Sequence, residues 1–90
     1  MARKYRLSVG GRVVHYGDHW GPMLIELIGL AERGYRPVFK ENRTLGDGGL
    51  VASLQDGQVV AEWRSPLDHT PPPEWATGII SALEAQRGTQ

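Results

Sequence analysis

The sequence predicts an α+β fold, a mostly antiparallel sheet with two helices packed on one face, in the order ββαβββα. Three observations carry this reading. Gly10-Gly11 and Asp56-Gly57 each separate two alternating, strand-like runs. An apolar segment with helical spacing follows the first of these hairpins. A second such segment, opened by prolines, follows the last one.

The elements follow in order. From Lys4 to Val9, Tyr5, Leu7 and Val9 alternate with Lys4, Arg6 and Ser8, the pattern of a half-buried strand. Arg12 to Tyr16 is the partner strand, and the two glycines between them suit a turn that needs positive φ twice. Simple pairing then gathers Tyr5, Leu7, Val9, Val14 and Tyr16 on one face. Lys4, Arg6, Ser8, Val13 and His15 take the other. Gly17 to Gly21 reads as a turn. A helix follows, with Pro22 in its first turn, its end near Arg33, and Gly34 just beyond. Leu24, Leu27, Ile28 and Ala31 form its inward stripe. Met23, Ile25 and Leu30 fall outside that stripe, so the helix is expected to have more apolar surface than one sheet can cover.

Tyr35 to Glu41 is the third strand, and Pro37 places it at an edge or beside a bulge. Asn42 to Gly49 is a polar, glycine-rich loop. Leu50 to Gln55 and Gln58 to Arg64 form the second hairpin, with Leu50, Ala52, Leu54, Val59, Ala61 and Trp63 on one face. Ser65 to Pro73 is a proline-rich connector. The last helix is expected from about Pro72 to Gln86, with Thr70 as its N-cap. Trp75, Ile79, Ala82, Leu83 and Gln86 face inward, Ala76 and Ile80 lie beside them, and Gly78 weakens the helix. No repeat or internal boundary interrupts the pattern. Residues 1–90 are therefore expected to form a single compact domain, with flexible ends at 1–3 and 87–90 and a loop at 42–49.

Composition excludes several classes of function. The 90 residues hold ten basic and ten acidic side chains. Binding by bulk positive charge is thereby excluded. Charge is nevertheless uneven: residues 1–45 carry eight basic and four acidic groups, and residues 46–90 carry two and six. With no cysteine there is no disulfide scaffold, zinc–thiolate site or thiol nucleophile. The longest apolar stretch, Met23 to Ala31, is interrupted by Glu26 and is too short to span a bilayer. The N-terminus lacks a secretory pattern, so a cytoplasmic location is expected.

Candidate chemistry is sparse. His15, Asp18 and His19, with Asp68 and His69 further on, are metal-ligand or acid–base residue types. No nucleophile motif accompanies them, and a metal-dependent hydrolase is the least favoured alternative; no catalytic residue, metal ligand or cofactor is assigned. Gly46 to Gly49 leads into a strand and lacks the phosphate-cradle pattern. Arg3, Lys4, Arg6, Arg12 and His15 form a basic strip if they share one exposed face, and such strips hold phosphates. Pro71 to Pro73 suits a rigid approach to the helix.

The order αβββα from Pro22 to Gln86 resembles that of the double-stranded-RNA-binding domain, and the resemblance implies nucleic-acid binding. That family carries a lysine-rich motif where its last helix begins. Here the place reads Pro71-Pro72-Pro73-Glu74-Trp75-Ala76, without lysine. No site residue is carried over.

The function expected is that of a small non-enzymatic protein-binding module. Its arginine bias and glycine content suit the accessory or inhibitor proteins of phages and mobile elements. The partner is another protein, or a second copy in a homodimer; nucleic acid is the alternative and a membrane is not expected. Trp20 in the turn before the apolar helix, Met23, Ile25 and Leu30 on that helix, and Leu45 and Asp47 in the loop are the candidate contact residues.

Overall fold

Seven elements follow one another: β1 (Tyr5–Val9), β2 (Arg12–Gly17), α1 (Trp20–Glu32), β3 (Val38–Glu41), β4 (Gly49–Gln55), β5 (Gln58–Arg64) and α2 (Glu74–Arg87). The computed structural model describes residues 3–43, 48–65 and 70–87. All strand pairs are antiparallel, and the sheet has the spatial order β2-β1-β3-β4-β5. The α+β class and the element order are as the sequence predicts. The ends 1–2 and 88–90 lie outside the described residues, as do 44–47 of the expected loop. Arg3 is tied down through its guanidinium to Asp18 and through its carbonyl, which accepts from Asn42 Nδ2.

The second hairpin pairs as the alternation requires. Leu50 faces Trp63, Ala52 faces Ala61 and Leu54 faces Val59 across a turn with positive φ at Asp56 and Gly57. The first hairpin differs. Gly10 and Gly11 make the expected turn, with φ of 60° and 82°. The register then slips between Leu7 and Ser8: Ser8 pairs with Val13, but Leu7 pairs with His15 and Arg6 with Tyr16. Val14 is the extra residue of a β-bulge. The slip exchanges faces beyond it, so Tyr16 joins Arg6, and His15 joins the side of Leu7.

β3 corrects the placement of Pro37. The strand is the middle one of five, not an edge, and it starts after the proline. Pro37 needs no donor there; its carbonyl accepts from Ala52 N–H at 3.0 Å.

α1 begins two residues before Pro22, with His19 as an extended N-cap that makes no side-chain cap. Its end follows expectation: Gly34 has φ of 94° and donates to Ala31 O, while Tyr35 donates to Leu30 O, the paired bonds of a Schellman ending. α2 starts later than expected, at Glu74. Pro73 O, not a Thr70 side chain, receives the first N–H groups, from Ala76 and Thr77. Thr70 anchors the connector instead. Its N–H donates to Ser65 Oγ, and its carbonyl accepts from Trp63 Nε1.

One core joins the sheet to both helices. Tyr5, Leu7, Phe39, Leu50 and Ala52 meet Met23, Leu27 and Ala31 of α1 and Trp75, Ala76, Ile79 and Leu83 of α2. Both helices therefore cover the same sheet face. Aromatic rings form the centre: Trp75 lies 5.3 Å from Phe39, 5.7 Å from Tyr5 and 5.7 Å from Trp63, mostly tilted or edge-on as ring quadrupoles favour. Among the described residues no helix is long and apolar enough to cross a membrane.

Candidate functional site

The fold draws most of the expected α1 contact residues into the protein's own interior. Met23 is 1% exposed and belongs to the inward stripe. Trp20 and Leu30 pack partly buried against the core. The Trp20 ring rests on α2 at Gly78, where an added Cβ would lie 3.1 Å from its Cζ2. The second helix thus covers apolar surface that the sheet leaves bare. Ile25, at 75% exposure, is the member of the group left on the surface. Leu45 and Asp47 lie outside the described residues.

The basic strip is divided between the two faces, with His15 turned over by the bulge. Arg6 stays on the helix-free face, and its guanidinium donates to Asn42 O at 2.7 Å. By register, Arg12 and His15 lie on the helix-covered side, at its rim. Arg3 is paired with Asp18 at 2.9 Å, and Lys4 Nζ stands 5.3 Å from the centre of the Tyr5 ring. Of the histidine–carboxylate group, Asp68 and His69 lie outside the described residues. Asp18 is bound by Arg3 and by Lys4 N–H, which together hold its carboxyl below the ordinary 3.8. Among the described residues no three side chains gather as metal ligands.

What the fold leaves available is the outer edge of β2. This strand has a sheet neighbour on one side only, so the other side presents backbone donors and acceptors without sheet partners. Val14 is 49% exposed and Tyr16 50%, and Arg12 and His15 are exposed beside them. No carboxylate lies within Arg12–Gly17. The opposite edge is less open, since β5 is half-buried at Val59, Val60, Ala61 and Trp63. Such an edge can take an added extended strand by main-chain hydrogen bonding, with side-chain pockets setting preference. Sequence alternation alone misplaces Val14 and Tyr16 on the core face. The adjacent pair Val13-Val14, which breaks strict alternation, is the trace of the bulge in the sequence.

A second feature crosses the helix-free face. Register aligns Tyr16, Arg6 and Lys40, whose side chain is buried, and Lys40 Cβ lies beside Gly49, which pairs with Arg64. Arg36 lines a shallow depression on the same face with Val51, Ser53, Val60 and Glu62. The sequence hides this row because its members come from separate strands.

No family model, curated protein or solved structure matches this chain, so the functional reading rests on its own residues.

Proposed function

We propose that this chain is a non-enzymatic protein-binding module that receives an extended, acidic segment of a partner protein along the outer edge of β2. The observation that carries the reading is an edge strand with two half-exposed apolar side chains, two basic ones and no acid. Backbone bonding supplies affinity, and Arg12 and His15 favour carboxylates on the incoming strand. Occupying a partner's extended segment suits an accessory or inhibitory protein of the kind that phages and mobile elements carry.

The test is an NMR titration with a short peptide alternating valine and glutamate, set against its valine–lysine counterpart. The expected result is saturable shifts and slowed amide exchange confined to β2, with the acidic peptide preferred. Equal binding of the lysine peptide, or shifts centred on Ile25, overturns the reading. So does a concentration-dependent dimer whose contacts map to β2, since a second copy would then be the occupant.

Tyr16, Arg6 and Arg64, which border the buried Lys40, support a second reading, single-stranded nucleic acid laid across the helix-free face. Here the two faces of the sheet make a sharp distinction. Arg64→Glu should weaken a mobility shift at low salt, whereas Arg12→Glu, on the other side, should leave it unchanged. Absence of any shift at low salt removes this reading.

A further inference from the structure

At one end of the sheet the start of β1, the end of β3 and the first turns of both helices converge. Tyr5, Trp20 and Trp75 line a cleft there of about 410 Å³, with Lys4, Glu41 and Glu74 on its walls. Each aromatic ring is fixed by its own contact. Trp20 rests on Gly78. Tyr5 is backed by Phe39 at 5.3 Å and by Trp75 edge-on. The Trp75 indole N–H donates to Glu41 Oε1 at 3.1 Å, which also fixes the carboxylate in the cleft wall.

The cleft already holds a cation of its own chain. The Lys4 ammonium stands 5.3 Å from the Tyr5 ring centre, within the range of a cation–π contact. Ring faces carry negative potential, and two carboxylates add to it. Not all of that charge is free to act. Glu41 also borders a neighbouring cavity with Arg3, Lys4 and Arg43, whereas Glu74 does not border that cavity. A small metal cation would have to shed tightly held water against aromatic walls. A methylated ammonium is weakly hydrated and matches both the rings and the carboxylates.

We propose that this cleft binds a methylated ammonium group, which takes the place of the Lys4 side chain over Tyr5 while Lys4 swings into solvent. The inference stands apart from the β2-edge reading, because it uses different residues and a different ligand. Two sources share the chemistry: a free quaternary amine such as choline, and a trimethylated lysine on a partner.

The experiment titrates choline into the intact protein and follows the indole N–H signals of Trp20 and Trp75. The control is its uncharged isostere, in which a tert-butyl group replaces the trimethylammonium. Choline should shift both indole signals saturably and bind about fivefold or more tighter than the isostere. Lys4→Ala, which vacates the ring face, should tighten choline binding. Glu74→Gln should weaken it while leaving the fold intact. A short trimethyl-lysine peptide run in parallel assigns the source: tighter binding than choline points to a partner protein, weaker binding to a free amine. The proposal is overturned if the isostere binds as well as choline, if Lys4→Ala fails to tighten binding, or if choline does no more than sodium chloride at the same concentration.

Discussion

Asp18 shows how one exposed carboxylate ties separate segments together. It sits in the turn between β2 and α1, yet it accepts from the Arg3 guanidinium and from Lys4 N–H at the start of β1. Arg3 is the larger cause of its lowered pKa and Lys4 the next. A lowered carboxyl pKa in the folded state means that the contribution to stability is present above 3.8 and is lost as pH falls below it. Asp18→Asn is therefore expected to lower the urea midpoint slightly at neutral pH. The gap from the parent protein should close on acidification; a gap that persists at low pH would show that charge is not its cause. The sequence shows Asp18 only as a polar residue of the turn before α1, because its partners fourteen and fifteen residues away are not visible in it. The same limit applies to Trp20, whose resting place on Gly78 depends on how two helices meet.

At the scale of elements, the two hairpins give a contrast. The β4–β5 pairing is legible because alternation is strict and the turn is short. The β1–β2 pairing is half legible: the turn is right, but one extra residue reverses the faces of His15 and Tyr16. Since the candidate site is the exposed β2 edge, that one residue hid it. The helices differ in a comparable way. A Cβ at Gly29 of α1 meets nothing within 4 Å, while one at Gly78 of α2 meets the Trp20 ring at 3.1 Å. Gly29→Ala should thus raise stability by up to ~1 kcal/mol through helix propensity. Gly78→Ala should gain less or lose, and should alter Trp20 fluorescence. Paired thermal melts decide the matter, and equal gains at both positions would contradict the packing described for Trp20.

For the molecule as a whole, the charge imbalance along the chain becomes a difference between faces. The helices expose Glu26, Glu32, Glu74 and Glu84, with Arg33 just past the end of α1. The helix-free sheet face carries Arg6, Arg36 and Arg64, with Lys40 buried among them, against Glu62 among the described residues. Net charge conceals this, because only the fold sorts the residues by side. One core linking β1, β3, β4 and β5 to both helices also predicts a single unfolding transition. Calorimetry should give a heat-capacity change of about 1.1–1.4 kcal/mol/K for a chain of this length, with van 't Hoff and calorimetric enthalpies in agreement. Separate transitions by tryptophan fluorescence and far-ultraviolet dichroism would mean that one helix melts independently.

The central position of β3 bears on how the chain reaches this state. Each hairpin closes locally, on a microsecond scale of about 1–10 μs, but neither can be joined to the other until β3 arrives between β1 and β4. That arrival pairs Tyr5 with Glu41 across the whole of α1, the costly loop closure in this topology. Changes that weaken the β1–β3 seam should accordingly slow refolding in stopped-flow experiments, whereas changes in the Asp56-Gly57 turn should show mainly as faster unfolding. The reverse pattern would place the kinetic bottleneck in the hairpins.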